Sequence, residues 1–413
     1  MVSKLRPIVL AGGVGKRLWP LSTEKNPKQF IPIFKEFSLF DLTLQRLNKA
    51  SLFKQPIIVT SEKYLNKVNE SLQRTGIEVE KIILEPEPKN TCPAITMPVI
   101  LSLLKNSQED FFVCASDHYV SKNKNFYESC LLARKNLNES GLMLMGIQPE
   151  HPSTEYGYIL TEENQNSIKK VKSFIEKPDL KDAKNLIKKN NVYWNSGMFI
   201  FNGSWFLETL KSLEPLAYKN IFKAIESGKN KSKYFYPEKR SFSKISSISF
   251  DKAFAEKESN ILMATLDAGW SDLGSWLSLS ALQKLPSSAM TLYSEGLYER
   301  CEKPWGFYEI LMETNLSKVK LISVFPNQKL SLQKHKYRAE TWYVISGTAK
   351  VTKGNERFTM QAGDSVIIDK NQIHRLENIA EEPLEVIEIQ TGSYFGEDDI
   401  VRLEDTYGRA DIY

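Results

Sequence analysis

Two patterns of hydrophobic residues follow one another along this sequence, and the change near residue 302 limits the possible folds more than any other feature. Before it, short β-type runs alternate with amphipathic stretches whose apolar residues recur every three or four positions, as in helices. After it, short alternating runs are separated by glycines such as Gly347, Gly354 and Gly363. Strands alternating with helices predict a mostly parallel α/β sheet, and closely spaced strands predict a small β-barrel or sandwich.

These patterns predict an α/β domain over residues 1–283, a connector over 284–301 and a β domain over 302–413. In an open α/β sheet, ligands bind beyond the carboxyl ends of the strands, so functional side chains are expected there. The predicted strands of the first domain are Pro7–Leu10, Pro56–Thr60, Lys81–Leu84, Phe111–Ala115, Leu142–Ile147 and Met198–Phe201, and its clearest helices are Phe40–Ala50 and Tyr64–Gln73. Those of the second domain are Val319–Val324, Trp342–Ile345, Ala349–Val351, Ser365–Ile368 and Leu384–Ile389.

Charge and cysteine usage exclude several classes of protein. Lys and Arg number 55 and Asp and Glu 50, a net charge of +5 that is spread along the chain, so we expect no nucleic-acid partner. No two of the 4 cysteines form a C-x-x-C pair, which argues against a disulfide scaffold or a cysteine zinc site. No apolar run approaches the ~20 residues of a membrane span. The expectation is a cytoplasmic protein without a membrane partner.

The strongest local signal lies in the segment Leu10–Phe30. There a predicted strand is followed by glycines and two cations, namely Gly12, Gly13, Gly15, Lys16 and Arg17. Glycines allow a sharp turn that brings backbone N–H groups against phosphate oxygens, and the cations neutralise charge. The dinucleotide-binding and P-loop patterns both fail, because Leu18 and Arg17 occupy positions that those motifs require to be Gly and Ser or Thr. Taken alone, the loop also fits a glycine turn with solvated cations.

This loop and the segments after it resemble the signature of sugar-1-phosphate nucleotidyltransferases, specifically mannose-1-phosphate guanylyltransferases. GGVGKRLWP is followed by PKQF, and six further motifs match in order: EPEPKNTCPAI (85–95), ASDH (115–118), EYGYI (155–159), FIEKP (174–178), WNSGMFIF (194–201) and WSDLGSW (270–276). The resemblance covers roughly residues 6–280. It implies an α/β nucleotidyltransferase domain, Rossmann-like and GT-A-like, with a mixed, mostly parallel sheet.

The resemblance also implies residue roles on the nucleotide side. The glycine loop, with Gly12, Gly13, Gly15 and Arg17, is implied to hold the triphosphate of GTP, and Lys28 to bind phosphate near the reacting centre. Glu85 and Asn90 resemble residues near the base. Asp117 and Asp272 are implied to bind Mg²⁺, which favours one or two carboxylates together with phosphate oxygens. Taken alone, either aspartate is also typical of a turn or cap.

On the sugar side, Gly157, Glu176, Lys177 and Asn195 resemble residues that bind the sugar phosphate. The surface alternative is that Glu176 and Lys177 form an exposed pair and that Asn195 is a turn residue. The implied reaction is in-line attack of a mannose-1-phosphate oxygen on the α-phosphorus of GTP, giving GDP-mannose and pyrophosphate. The sugar phosphate is already a nucleophile, so catalysis would consist of positioning and charge neutralisation.

The β-rich part resembles a cupin barrel, and within the cupins the tail of bifunctional enzymes with a type II mannose-6-phosphate isomerase. The segments that carry this resemblance are KPWGFYE (303–309), QKHKYRAETW (333–342) and GEDDIVRLEDTYGR (396–409). Gln333, His335, Glu340 and His374 map onto the ligands of Zn²⁺ or a similar metal. Arg338 is implied to act in the isomerase site. Glu340 has the opposite strand parity to Gln333 and His335, so a turn or bulge must bring it round.

The residues that would support the second activity depart from the family pattern. Lys336, Tyr337 and Thr341 stand where the family usually has histidine, and the sequence identifies no acid or base for isomerisation. Three hypotheses stay open: a guanylyltransferase that also interconverts fructose-6-phosphate and mannose-6-phosphate, a guanylyltransferase with a structural or sugar-phosphate-binding barrel, and a non-catalytic nucleotide-sugar sensor. Residues 277–302 are too short for the β-rich segment usual between the two domains, which predicts a shortened member. We also expect a homo-oligomer, as a dimer.

Overall fold

The computed structural model describes residues 3–13, 18, 22–34, 37–105, 108–137, 141–163, 166–258, 260–274, 300–313 and 317–408. The chain forms two compact units, Met1–Gly13 with Leu39–Asp272, and Val14–Ser38 with Leu273–Tyr413. The segment Val14–Ser38 thus belongs to the second unit, although it follows the first strand in sequence. Because residues 275–299 lie outside the described residues, the boundaries at 283 and 302 stay a prediction.

The first part of the chain contains short strands that are rich in β-branched and aromatic residues. They are β1 (Arg6–Leu10), β2 (Pro32–Phe34), β3 (Phe37–Ser38), β4 (Ile57–Ser61), β5 (Lys81–Glu85), β6 (Asp110–Ala115), β7 (Tyr119–Val120), β8 (Leu142–Ile147), β9 (Tyr158–Thr161), β10 (Ile168–Ile175), β11 (Val192–Asn202), β12 (Lys229–Lys231), β13 (Tyr234–Tyr236), β14 (Leu262–Thr265) and β15 (Trp270–Ser271). Every residue of β8 is buried, as expected for a strand covered on both faces.

Helices connect these strands. They are α1 (Leu39–Leu47), α2 (Leu65–Thr75), α3 (Thr91–Leu103), α4 (Asn123–Lys135), α5 (Leu180–Leu186), α6 (Gly203–Leu213), α7 (Pro215–Glu226) and α8 (Lys239–Ser243), with a π-helical turn at Asp251–Ala255. The amphipathic α2 ends at Gly76, whose φ of 66° is the left-handed conformation that glycine adopts at helix ends. None of the described helices is long and apolar enough to cross a membrane.

The described strands of the first unit form a mixed sheet in the order β12-β13-β5-β4-β1-β6-β11-β8-β14-β10-β9. From β13 to β6 the strands run parallel, whereas β11 is antiparallel to both β6 and β8. Leu10 of β1 lies opposite Val59 and Ala115, so the carboxyl ends of β1, β4 and β6 share one edge. The prediction of a mixed α/β sheet is confirmed, and its parallel strands are concentrated in one half.

Aromatic rings pack between the antiparallel part of this sheet and the helices beside it. Phe250 stacks on Phe199 of β11 with ring centroids 4.4 Å apart, and Phe254 stacks on Phe206 at 4.8 Å. All four rings are buried. Such packing holds the π-helical turn, which carries Phe250 at its N-cap, against the strand β11.

The second unit is mostly β-structure, as predicted. After the connector its strands are β16 (Arg300–Lys303), β17 (Gly306–Glu313), β18 (Ser317–Val324), β19 (Leu332–His335), β20 (Arg338–Ser346), β21 (Thr348–Lys353), β22 (Glu356–Gln361), β23 (Ser365–Ile368), β24 (His374–Asn378), β25 (Leu384–Gly392) and β26 (Ile400–Glu404). They form two antiparallel sheets, β16-β17-β18-β25-β20-β23 and β22-β21-β24-β19-β26. Trp342, Val344, Val351 and Val386 are buried in the core of this unit. This arrangement confirms the predicted cupin barrel.

Candidate active sites

The end of β1 is fixed to the neighbouring strand β4. Ala11 donates its N–H to the Val59 carbonyl at 2.8 Å, and Thr60 Oγ1 donates to the Ala11 carbonyl at 2.9 Å. Gly12 and Gly13, which follow, are exposed. The predicted loop residues Gly15 and Arg17 lie outside the described residues, so their roles stay predictions. Lys28 is buried in the turn Lys28–Phe30, which belongs to the second unit, and its role also stays a prediction.

Glu85 ends β5 and lies beside Gly12. A Cβ added to Gly12 would lie 3.4 Å from Glu85 Oε2, which shows how close the glycine loop comes to this carboxylate. Glu85 is 8% exposed, and its Oε1 has no hydrogen-bond partner among the described residues. Burial raises the pKa of Glu85 from 4.5 to about 8, because the charged form has lost its hydration. A buried acid of this kind needs a ligand or a proton.

Asn90, the other residue predicted near the base, has a structural role. It is the N-cap of α3, its Oδ1 accepts the Thr91 N–H at 2.8 Å, and its φ is 70°. Asparagine tolerates this left-handed conformation and satisfies a helix-end donor. Asn90 is also exposed. This capping role explains the asparagine at position 90 without any ligand. A contact between Asn90 and the base stays a prediction.

The two predicted Mg²⁺ ligands are brought together by a two-stranded ribbon. Ser271 of β15 pairs with Tyr119 of β7, so Asp272, which follows Ser271, and Asp117, two residues before Tyr119, both lie at the same end of the ribbon. Asp272 is 8% exposed, and its Oδ1 accepts the hydroxyl of Tyr156 at 2.8 Å. Sequence reasoning quoted Tyr156 within EYGYI but assigned it no role.

An aromatic group supports this acid pair. The Trp270 indole N–H donates to His118 Nδ1 at 3.2 Å, and His118 Nε2 lies 3.9 Å from Asp117 Oδ1. Nδ1 therefore accepts, and in the neutral ring Nε2 carries the proton on the side of Asp117. Tyr156 packs edge-on between Trp194 and Trp270, with centroid distances of 5.0 and 5.4 Å.

The four residues predicted to bind the sugar phosphate also come together. The Gly157 carbonyl accepts the Asn195 N–H at 2.8 Å, which joins EYGYI to WNSGM. A Cβ on Gly157 would lie 2.9 Å from Glu176 Oε2 and 2.7 Å from the Phe174 ring, so a side chain at residue 157 would displace Glu176. Lys177 is exposed and lies 3.2 Å from Glu176 Oε1.

Asp251, which lies beside this group, belongs to none of the motifs quoted above. The Asn195 side-chain amide donates from Nδ2 to Asp251 Oδ1 at 2.9 Å. Asp251 begins the π-helical turn, and such turns occur frequently at functional sites. Its segment, SFDKAFAEK, carries no recognised spacing, so only the tertiary contact identifies it.

In the second unit the predicted metal ligands converge. The described residues bring His335, Glu340 and His374 together, with one ligand atom from each within 4.8 Å of the others, and all three are buried. Gln333 Nε2 lies 3.5 Å from His335 Nε2 and is also buried. A turn at Lys336–Tyr337 lies between β19 and β20. It allows Glu340 to join the cluster of Gln333 and His335, although Glu340 has the opposite strand parity.

Neighbouring groups orient these ligands. His374 Nδ1 contacts the Gln372 carbonyl at 2.8 Å and so carries the proton, which leaves Nε2 as the lone-pair donor; this atom has no hydrogen-bond partner among the described residues. Burial lowers the pKa of His374, which favours the neutral, ligating ring. Burial alone would raise the pKa of Glu340, but His335, His374 and Arg338 hold it well below its usual value.

The turn is held by Asp399, which the sequence left unassigned within GEDDIVRLED. Asp399 Oδ1 accepts the N–H groups of Lys336 and Tyr337 at 2.9 and 3.2 Å. Its carbonyl lies 3.4 Å from His335 Nδ1. Lys336 and Tyr337 are exposed, so these two departures from the family's histidines point away from the buried ligands.

A small polar cavity of about 50 Å³ lies next to the ligands Gln333 and Glu340. Lys320 and Glu388, cross-strand partners at 3.3 Å, lie on its wall, and Glu388 accepts from Gln390, which also donates to Glu340. Arg338 is 2% exposed and donates to the Gly396 carbonyl at 2.8 Å. Lys303, Arg402 and Tyr308 surround Glu397 at its mouth.

Comparisons with known proteins agree with both units. The nucleotidyl transferase family model matches residues 6–287, and the model of the mannose-6-phosphate isomerase C-terminal domain matches residues 294–405. The mannose-1-phosphate guanylyltransferase of Salmonella muenchen is 33% identical, with 98% of this chain and 98% of that protein covered. The xanthan biosynthesis protein XanB of Xanthomonas campestris pv. campestris (strain B100) is 34% identical, with 99% and 100% covered.

The chain belongs to the mannose-1-phosphate guanylyltransferase family that carries a C-terminal isomerase domain. Among solved structures, the mannose-6-phosphate isomerase of Helicobacter pylori superposes with a TM-score of 0.57 at 30% identity, over 65% of this chain and 100% of that one. As a member of this family, the chain is short: its alignment with XanB extends over 468 positions, against 413 residues here. The two family models leave only residues 288–293 between them.

Proposed function

We propose that this family member transfers the guanylyl group of GTP to mannose-1-phosphate and so makes GDP-mannose. The ribbon that brings Asp117 and Asp272 together carries this proposal. A mannose-1-phosphate oxygen would form a bond to the α-phosphorus as the bond to the β-phosphate oxygen breaks and pyrophosphate leaves. The substrate needs no deprotonation by the protein, so the protein's part is to position the phosphates and neutralise their charge. Arg17 and Lys28 are the proposed cations.

The acid pair fits Mg²⁺, because both side chains offer oxygen donors at the same end of one ribbon. Bound there, the ion would neutralise charge on the reacting phosphates. Tyr156 and His118 hold the orientation of the two carboxylates through the contacts described above. On the sugar side, Lys177 is the cation proposed for the phosphate, and Glu176 and Asn195 are the groups proposed for the hydroxyls.

We further propose that Glu85 selects guanine. Guanine presents two adjacent N–H donors, on N1 and N2, and a carboxylate can accept both. Glu85 is suited to this because it is buried beside Gly12 and its Oε1 has no described partner. Binding would then release the proton that burial places on the carboxyl. Calorimetry of GTP binding at pH 7 in buffers of different ionisation enthalpy measures this release, and the Glu85→Gln variant should show none.

The direct test is incubation of the protein with GTP, Mg²⁺ and mannose-1-phosphate. GDP-mannose and pyrophosphate should accumulate in equal amounts. Substituting ATP for GTP, or omitting Mg²⁺, should reduce the rate strongly. If no pyrophosphate is formed, the proposed transfer is wrong, and the nucleotide-sugar sensor becomes the better hypothesis.

The convergence of His335, Glu340 and His374 favours a second function, interconversion of fructose-6-phosphate and mannose-6-phosphate. The donor set fits Zn²⁺ or a similar ion, since two imidazoles, a carboxylate and an amide leave a position open and His374 Nε2 has no described hydrogen-bond partner. Bound there, the metal would stabilise negative charge on the sugar oxygens. Lys320, Arg402 and Lys303 are the cavity-lining cations proposed to bind the sugar's phosphate.

This second activity is tested by incubating the metal-loaded protein with fructose-6-phosphate. Metal content is measured on the same sample. Mannose-6-phosphate formation would support the isomerase, whereas bound metal without turnover would favour a barrel that is structural or binds sugar phosphate only. We also propose a dimer in solution, for which light scattering after gel filtration is the test.

A further inference from the structure

The side-chain amide of Asn195 is held at both ends. Its Oδ1 accepts the N–H of Gly197 at 3.1 Å, and its Nδ2 donates to Asp251 Oδ1 at 2.9 Å. Rotating the amide by half a turn would place its oxygen against the Asp251 carboxylate and its N–H₂ against a donor. Asp251 therefore selects one orientation of Asn195. In that orientation Nδ2 keeps a second N–H, which no described residue uses.

The aromatic core fixes the position of Asp251, in addition to its hydrogen bond with Asn195. Phe250, the residue before it, stacks on Phe199 at 4.4 Å, and Phe254, at the other end of the turn, stacks on Phe250 at 5.2 Å. Phe199 and Asn195 lie on the same strand, β11. The carboxylate is thus fixed relative to the strand that carries the predicted sugar-binding amide.

Asp251 and Glu176 form a pair of acceptor groups. The two carboxylates are close enough for the charge of Glu176 to act on Asp251, and no Lys, Arg or His of the described chain forms an ion pair with Asp251. The pKa of Asp251 is raised from 3.8 to about 6, chiefly by burial and also by the charge of Glu176, while Asn195 and Lys177 oppose the shift. Asp251 has no ion pair among the described residues and Glu176 is paired with the exposed Lys177, and carboxylate oxygens of both can accept hydrogen bonds from hydroxyl groups.

We propose that Asp251 is a positioning and specificity residue of the sugar-phosphate site. It fixes the Asn195 amide so that its remaining N–H points to the hexose, and with Glu176 it offers acceptor oxygens to the ring hydroxyls. Gly157 leaves the space in which Glu176 lies. This inference rests on the proposed guanylyl transfer, and it adds a residue that neither the motifs nor the resemblance contained.

The test compares Asp251→Ala and Asp251→Asn with the wild type. Asp182→Asn, an exposed aspartate on α5, is the matched control. In Asp251→Ala the KM for mannose-1-phosphate should rise about tenfold or more, since two hydrogen-bonding groups lose their placement. The kcat and the KM for GTP should change by less than about twofold. Asp251→Asn keeps an oxygen for the Asn195 amide, so its KM for mannose-1-phosphate should lie between those of Asp251→Ala and the wild type.

A pH series separates this role from a merely structural one. The ionisable groups that act on Asp251 are Glu176 and Lys177, and the substrate phosphate also titrates near pH ~6. Relative to Asp251→Asn, the wild-type KM for mannose-1-phosphate should therefore rise as the pH falls below about 6 and Asp251 takes up a proton. The KM for GTP should show no such difference between the two proteins.

Two results would overturn the proposal. One is a wild-type KM for mannose-1-phosphate in Asp251→Ala. The other is an equal rise in the KM for mannose-1-phosphate and for GTP, together with a lower melting temperature in both Asp251 variants. That result would indicate a role in folding alone. If the wild type itself makes no GDP-mannose, the proposed transfer fails first. Calorimetric binding of mannose-1-phosphate to the wild type and to Asp251→Ala then still decides the role of Asp251.

Discussion

At the scale of single residues, this protein places carboxyl groups in surroundings that differ sharply. Asp272 accepts a hydroxyl and lies beside Asp117, whereas Glu85 is buried and lacks a described partner for one oxygen. Asp251 lies between these extremes, because it accepts an amide but forms no ion pair among the described residues. A carboxylate that retains polar neighbours stays charged, whereas one that has lost its hydration takes up a proton at a higher pH. The chemical task proposed for each group follows this difference.

Asp272→Ala should abolish guanylyl transfer and leave the fold intact. The change removes one of two carboxylates proposed to hold Mg²⁺, so kcat should fall by about 10²–10³-fold. Pyrophosphate release is the measurement, and the thermal midpoint reports folding. Asp267→Ala, which removes an exposed aspartate of the same segment, is the control. Near-normal turnover in Asp272→Ala would remove this residue from the metal site.

Glu85→Gln should make the unfolding free energy less dependent on pH. The folded pKa of Glu85, about 8, lies above its unfolded value of 4.5, so between these values the native state holds the proton more tightly. Stability from this group is therefore complete below about pH 4.5 and is lost as the pH rises through 8. Relative to Glu85→Gln, the wild type should lose up to ~1.4 kcal/mol per pH unit in this window. Urea titrations at several pH values measure the difference; parallel curves would contradict it.

At the scale of elements, each candidate site is assembled where two strands or a strand and a turn meet. The β7–β15 ribbon aligns the acid pair, the irregular part of β11 between Asn195 and Phe199 carries the sugar-side amide, and the β19–β20 turn brings Glu340 to the histidines. Irregularities of this kind re-aim side chains that a regular strand would send to alternate faces. The sites therefore depend on how turns are held as well as on their ligands.

Asp399→Ala should weaken metal binding in the barrel. This carboxylate accepts two backbone N–H groups of the turn between His335 and Arg338. Without it the turn loses its support, and metal affinity should fall by about 10–100-fold, as for other supporting groups. Metal competition with a chelator measures the affinity. Asp398→Ala, whose carboxylate accepts the Tyr394 hydroxyl instead, is the matched control and should bind metal normally.

At the scale of the whole molecule, the two proposed reactions use different residues, although Arg17 and Lys28, proposed for guanylyl transfer, belong to the second unit together with the barrel. The acid pair and the sugar-side group belong to the first unit, and the histidine cluster belongs to the second. Only residues 288–293 separate the regions that the two family models match. Since the two sets share no residue, we expect their chemistries to be separable by mutation.

His374→Ala should reduce metal content and isomerase turnover only. The imidazole contacts Gln372, Glu340 and Trp342, all within the barrel. GDP-mannose formation from mannose-1-phosphate should stay within about twofold of the wild type, because sites without shared partners act additively. Parallel assays of both reactions on one preparation provide the measurement. Loss of transfer in this variant would reveal coupling between the units.

The sequence by itself determined the elements and the chemical types of the sites. Hydrophobic periodicity located β8 (Leu142–Ile147) and β23 (Ser365–Ile368) at their observed bounds, and the motifs identified both the acid pair and the barrel histidines. These features are local, because periodicity and turn residues reflect neighbours a few positions apart. The observed β11 is longer than the predicted Met198–Phe201, because Asn195, Ser196 and Gly197 interrupt the apolar pattern that begins at Val192.

Only the tertiary structure decided which residues support those sites. Asp251, Lys320 and Glu388 lie outside the quoted motifs and Asp399 has no assigned role within its motif, so the roles of all four follow from contacts with residues far away in the sequence. The same holds for Lys336, whose exposure removes it from the ligand cluster although it adjoins His335 in sequence. A pattern in the sequence reports which face of a strand is apolar, but burial, pKa and hydrogen-bond partners depend on groups that folding brings together.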